Sequence, residues 1–329
     1  MNSPISKIFN RRNHPADPQL TTASEFSAQF ADLLKQGSEI IVGKDDQLKL
    51  ALCCLFAGGH LLIEDLPGVG KTTLAHLLSR LLGLEFQRLQ FTSDMLPAEI
   101  TGAAVYEKHS GEFRFHQGPI FTHLLLADEI NRATPRAQSA LLEAMEEKQV
   151  TAEGHTYQLP TPFFVIATQN PRDQFGTFAL PESQLDRFLM RLSLGYPDAD
   201  SERALLAGDN RRTLLRSLEP ILDQQKLLAI QQLVTHQHVA TPLIDYVQKL
   251  LDHSRHSADF ANGLSPRAGL GLLQAAKSWS LLHGRDHVIP EDVQAVLEAV
   301  TGHRLGSRAS GEDTSSETTR LLLEAVPIP

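Results

Sequence analysis

The feature that most constrains this chain is a glycine loop set between two regular elements. His60-Leu61-Leu62-Ile63-Glu64 reads as a strand, and Leu74 to Leu82 reads as an apolar helix. Between them lie Asp65-Leu66-Pro67-Gly68-Val69-Gly70-Lys71-Thr72-Thr73. A strand that turns through glycines directly into a helix gathers backbone N–H groups and a helix N-terminus at one point, and that point attracts phosphate. Gly68 and Gly70 let the backbone approach phosphate oxygens, Lys71 reaches the outer phosphates, and the Thr72 hydroxyl can ligate Mg²⁺. The general pattern has glycine where Asp65 stands. That glycine serves the turn more than the phosphate, and Asp tolerates unusual backbone angles, so binding is expected with Asp65 as the one weakening feature. The bland alternative is an ordinary Gly/Pro turn with Lys71 merely exposed.

A second apolar run, Leu124-Leu125-Leu126-Ala127, delivers Asp128 and Glu129 at its C-terminal end, where ligands bind in open α/β sheets. Phosphoryl transfer to water needs one carboxylate for the metal shell and one group to orient the attacking water. Asp128 takes the first role in this reading, beside Thr72, and Glu129 the second. Without the glycine loop upstream, two acids after such a run would read as the start of a solvated loop. A third run, Phe163 to Thr168, ends in Gln169-Asn170-Pro171. The neutral amide of Asn170 can hydrogen-bond both phosphate and water, although Asn-Pro is also a common plain turn.

Short apolar runs at Leu61–Ile63, Phe86–Phe91, Leu124–Leu126, Phe163–Ala167 and Phe188–Leu194 alternate with amphipathic stretches, the pattern of a parallel sheet with crossover helices. After Pro197 the strand-like runs stop and helical patterns follow at Gln224–Thr235, Pro242–His253, Pro266–His283 and Pro290–Val300. With 329 residues, one large and one small domain are expected. The boundaries read as an N-terminal extension over 1–37, a loose tail leading into one helix carried by Phe26, Phe30, Leu33 and Leu34. An α/β core over 38–210 and an all-helical domain with its tail over 211–329 follow.

A net charge of −9 disfavours non-specific nucleic-acid binding. The two cysteines, Cys53 and Cys54, are adjacent in an apolar stretch and suit neither a disulfide framework nor a metal set, which points to a reducing cytoplasm. The run Leu50–Ile63 is short of the about 20 residues a membrane span requires, and the start of the chain lacks the pattern of a secretory signal.

Taken together, these residues resemble the AAA+ superfamily. The stretches Phe91–Gly102, Gly118–Phe121, Asp128–Ala133, Ala140–Val150, Leu180–Phe188, Leu264–Ala268 and Gly284–Val288 are similar to MoxR-family ATPases, with a resemblance running from about Ile40 to Leu305. It implies an αβα core with a parallel sheet, a small helical lid, ATP and Mg²⁺ as cofactors, and a ring, most often hexameric. It makes Asn170 the sensor-1 residue, Arg187 in Leu-Asp-Arg-Phe the arginine finger and Arg267 the sensor-2 arginine. The plain alternatives are an ion pair of Arg187 with Asp186 or Glu182, and a capping or surface role for Arg267 at a helix start.

The family also carries two β-hairpin insertions. Candidates are Ala103–Gln117, with Tyr106, Phe113 and Phe115 around His109-Ser110-Gly111, and Gln149–Leu159 around Glu153-Gly154; ordinary surface hairpins are the alternative. His236, His238, His253 and His256 read as surface residues, and Arg211, Arg212 and Arg216 as a solvated linker. The resulting expectation is a chaperone-like remodelling or maturation ATPase for protein clients, with a von Willebrand factor A-domain partner. A nucleic-acid motor or chelatase-type motor subunit is the alternative reading.

Overall fold

A computed structural model describes residues 23–109, 111–170, 176–207, 211–305 and 315–328. Met1 to Thr22, Ser110 of the first hairpin turn, Pro171 after Asn170, and Ser310 to Thr314 lie outside the described residues.

Helices α1 (Ala23–Ile40) and α2 (Asp45–Phe56) lead into β1 (Leu61–Glu64), α3 (Lys71–Leu81) and β2 (Phe86–Gln90). Next come α4 (Pro97–Thr101), a hairpin of β3 (Gly102–Glu107) and β4 (Glu112–Gln117), and β5 (Leu124–Asp128). A 3₁₀ turn (Ile130–Arg132) joins β5 to α5 (Pro135–Glu147). The second hairpin is β6 (Gln149–Ala152) with β7 (His155–Gln158), followed by β8 (Phe164–Gln169), α6 (Glu182–Leu185) and β9 (Met190–Leu192). Helices α7 (Ala199–Ala207), α8 (Arg211–Ser217), α9 (Gln224–His236), α10 (Thr241–His256), α11 (Pro266–Leu282), α12 (Pro290–Thr301) and α13 (Ser315–Ala325) complete the described chain.

The five core strands are all parallel, in the order β2-β5-β8-β1-β9. Strand side chains alternate between faces, and here both faces are apolar. Leu124, Leu126, Phe164, Ile166, Leu61 and Ile63 enter one buried cluster, while Leu125, Ala127, Val165, Ala167 and Leu62 enter another. The first cluster includes apolar residues of α1, α2, α3 and the C-terminal helices; the second includes those of α5. The continuous apolar runs in the sequence are therefore central strands of a three-layer sandwich. The strand order reverses at β1, between β8 and β9, which places the glycine loop at the switch point of the sheet.

The helical region begins earlier than the sequence patterns suggested. Arg211 and Arg216 belong to α8, not to a solvated linker, and the Arg211 guanidinium bonds to Glu39 O. The Ser/Thr/Glu-rich segment continues into α13, whose Thr318 and Leu322 are buried. At the other end, α1 runs through residue 37 to Ile40, and Phe26, Phe30 and Leu33 are buried in the first cluster.

Candidate active site

Gly68 and Gly70 have φ of +89° and +99°, and a Cβ on either would meet no protein atom within 4 Å. Packing therefore does not demand glycine at either position. The left-handed backbone does, and with it the open space over the loop, which leaves the N–H groups accessible to an oxyanion. Leu66, Pro67 and Gly68 are exposed, Val69 half-buried against the core, and Thr72 and Thr73 sit half-buried in the first turn of α3. Lys71 is buried, with Nζ donating to Asp65 O (2.5 Å) and Asn170 Oδ1 (3.3 Å). Burial pushes its pKa down, against the opposing pull of Asp65, Asp128 and Glu129.

Asp65 is explained by its side chain, not by backbone tolerance, for it is absent from the positive-φ residues. One carboxylate oxygen accepts from Leu66 N (2.8 Å). The other accepts from Ser193 Oγ (3.0 Å), Leu194 N (2.6 Å) and Gly195 N (2.7 Å). Buried and charge-assisted, these bonds fasten the start of the glycine loop to the chain leaving β9.

The two acids after β5 are held by a residue the sequence reading passed over. Thr168, fully buried at the end of β8, donates to Asp128 Oδ1 (2.5 Å) and accepts from Glu129 N (2.9 Å). Strand β2 adds two more. Arg88 reaches Asp128 Oδ2 through Nε (3.1 Å) and Nη2 (2.7 Å), and Gln90 Nε2 donates to Glu129 Oε2 (2.7 Å). Arg132 Nε pairs with the same Glu129 oxygen at 2.9 Å, and Asn170 Nδ2 lies 3.4 Å from Oε1. The polar residues at the C-terminal ends of β2 and β8, next to two consecutive acids, were the available signal.

Glu129 adopts φ 56° and ψ 47°. Among described non-glycine residues, only Lys148 and Glu153 share a positive φ; the first closes helix α5 and the second turns the β6–β7 hairpin. Glu129 opens the 3₁₀ turn that follows β5, its carbonyl accepting from Arg132 N (2.9 Å). Its unfavourable backbone projects a carboxylate beside Asn170 and Lys71, the sort of strain that collects at functional sites.

Arg187 and Arg267 lie elsewhere. Neither meets Asp186 or Glu182, and the cap of α11 is Ser265, which accepts from Ala268 N (3.0 Å). Instead both arginines converge on Glu146 of α5, Arg187 at 3.0 Å and Arg267 at 3.1 Å; Arg187 also bonds to Leu142 O. In the β1–β9 register Leu61 faces Met190, so Arg187 precedes β9 beyond the His60 end of β1, whereas the glycine loop leaves its Glu64 end. The length of β1, roughly 13 Å at about 3.3 Å per residue, is the least distance between them along the strands. The structure thus brings Lys71, Asp128, Glu129 and Asn170 together around the glycine loop and sets the two arginines toward the opposite end of the strands.

A parallel five-stranded sheet with a glycine loop at its switch point, paired acids at the end of the next strand but one, and a C-terminal helical lid defines an AAA-type ATPase architecture. A profile of the ATPase family associated with various cellular activities (AAA) matches residues 60–190, and one of the AAA lid domain matches 252–322. The chain is 41% identical to the uncharacterized protein YeaC of Bacillus subtilis, over 89% of this chain and 92% of that protein. It is 40% identical to chaperone MoxR1 of Mycobacterium tuberculosis, over 81% and 72%, and 30% identical to protein MoxR of Methylorubrum extorquens, over 96% and 98%. A crystal structure of a Cytophaga hutchinsonii protein superposes with a TM-score of 0.83 at 33% identity, covering 93% of this chain and 97% of that one. The chain belongs to the MoxR family of AAA ATPases.

Proposed function

We propose that this protein hydrolyses ATP with Mg²⁺ in a head-to-tail ring, and uses the cycle to remodel or mature partner proteins. The observation that carries the proposal is the separation just described. One chain gathers groups suited to binding phosphate and orienting water and holds Arg187 about a strand's length away from them, a separation that favours its acting at a neighbouring chain's site. Six subunits and a von Willebrand factor A-domain partner follow from the family resemblance. The name chaperone borne by one relative supports protein clients. The two unpaired, buried cysteines support a cytoplasmic setting.

The donor set fits a hard cation, since Thr72 and Asp128 offer only oxygens. Mg²⁺ held by them would neutralise charge on the transferring phosphoryl group. Lys71 is held by one carbonyl and one amide oxygen, neutral partners that a phosphate oxygen can replace. Glu129, locked by its backbone and by Gln90 and Arg132, orients the attacking water and takes its proton, while Asn170 donates without adding charge. The neighbour's Arg187, leaving Glu146, meets the charge that develops on the γ-phosphoryl oxygens.

The test mixes two inactive proteins. Arg187→Ala should bind ATP almost normally yet lose turnover by about 10³–10⁵-fold, the range for arginine fingers. Lys71→Ala subunits, which cannot bind but keep an intact finger, should restore part of that activity in mixed assemblies. Absence of rescue in assemblies shown to contain both chains overturns the shared site.

A further inference from the structure

We infer that Arg304 is a positioning residue for Arg187, so that the helical lid sets the aim of the arginine that completes the neighbouring site. This rests on the shared-site reading above and assigns a task to a residue that lies outside that site.

Arg304 follows α12, and its side chain is only 7% exposed. Its donors are spent on the segment that carries Arg187. Nε bonds to Asp186 Oδ1 (2.7 Å), Nη2 to Asp186 O (3.2 Å) and Phe188 O (2.7 Å), and Nη1 to Leu189 O (3.2 Å) and to Val300 O. The guanidinium therefore grips the backbone on both sides of Arg187 while leaving the Arg187 side chain to Glu146. Neighbouring lid residues close the same grip. His303 Nε2 donates to Phe188 O (3.0 Å), and Ser265, two positions before Arg267, donates to Asp186 Oδ2 (3.1 Å).

Burying a guanidinium is costly, and apolar residues of similar volume commonly stabilise a fold as well or better. What an apolar residue cannot do is fix several carbonyls of one short segment in a single plane, which the rigid fork of arginine does. Apart from these lid contacts, the Arg187 side-chain bonds and the burial of Phe188, the backbone of the segment is held only by bonds within its own turn. Arg187 N bonds to Gln184 O within its own turn, and the sheet takes over only at Leu189 N, which donates to His60 O. A shift of α12 would accordingly move the root of Arg187.

Arg304→Lys keeps the charge but cannot span the carbonyls. We expect unchanged ATP affinity and KM, with turnover reduced about 10²-fold, the cost of a misplacement of about 1 Å. Mixing with Lys71→Ala subunits should restore activity as it does for Arg187→Ala, and adding Arg304→Lys to Arg187→Ala should cause no further loss. Full turnover in a stably folded Arg304→Lys protein overturns the inference, as does weakened ATP binding in its own site. So does a defect that Lys71→Ala subunits fail to relieve while they relieve Arg187→Ala. Failure of Arg187→Ala itself to be rescued removes the shared site, and the role of Arg304 with it. If Arg304→Lys does not fold, Asp186→Asn decides by the same criteria, with a smaller loss of the same kind supporting the inference and normal turnover overturning it.

Discussion

Thr168 places one hydroxyl between the Asp128 carboxylate and the Glu129 backbone N–H, so the strand that leads to Asn170 also fixes Asp128 and the root of Glu129. This sharing argues that binding and chemistry separate by residue. Lys71→Ala should abolish ATP binding, whereas Glu129→Gln should bind normally and lose turnover by about 10²–10⁴-fold, the usual loss for a positioned base. Nucleotide titration beside steady-state turnover makes the comparison, and near-normal turnover of Glu129→Gln removes it from the reaction. His60 poses a different question. Its Nδ1 accepts from Val165 N (3.0 Å), so a proton there would oppose a backbone donor, and burial pushes its pKa down from 6.5 to about 4. The unfolded chain takes up that proton and the fold does not. Stability is therefore fully present above pH 6.5 and falls as pH drops toward 4, by up to about 3 kcal/mol. The buried His303, also pushed down by burial, adds the same sign. Unfolding midpoints measured across this window should fall less steeply for His60→Asn, and an equal slope would exclude His60 as a source.

At the scale of elements, the two hairpins are joined and not independent. Phe115 of β4 stacks on Tyr157 of β7, with centroids 4.0 Å apart and planes at 13°, and meets Phe121 edge-on at 5.9 Å. Phe113 points away, 74% exposed, with Tyr106 beside it. Aromatic pairs contribute about 0.5–1.5 kcal/mol. Phe115→Ala should thus loosen both hairpins to limited proteolysis, while Phe113→Ala leaves cleavage and basal turnover unchanged; equal cleavage of the two variants would contradict the division. The strands were legible in sequence because both faces of β5 and β8 are buried and read as unbroken apolar runs. The hairpins were anticipated from the family resemblance and placed by their turn residues. Helices α7, α8 and α13 were not, since few of their residues are buried, and short polar helices held by tertiary contacts leave a weak periodic signal. The convergence of Arg187 and Arg267 on Glu146, like the placement of Thr168 and Arg88, depends on partners far off in sequence. Residue type and local spacing carry no trace of such a partner.

On the proposed reading, the whole molecule gathers one part of a reaction centre around the glycine loop and holds Arg187 apart from it. Such a chain would gain turnover by meeting copies of itself, and heterologous contacts of the kind proposed close into rings when the rotation allows. Turnover per subunit should rise with protein concentration and then level off, and the ATP-bound Glu129→Gln protein should sediment as a closed oligomer. A species that stays monomeric at concentrations where turnover has levelled off would exclude the ring. In such a ring the Asp65 carboxylate acquires a directional meaning. It fastens a subunit's own phosphate loop to the chain leaving one end of β9, and Arg187 stands just before the other end of that three-residue strand. In the proposed ring, β9 would therefore tie an occupied phosphate loop to the arginine offered to one neighbour, which gives the coupling between sites a direction.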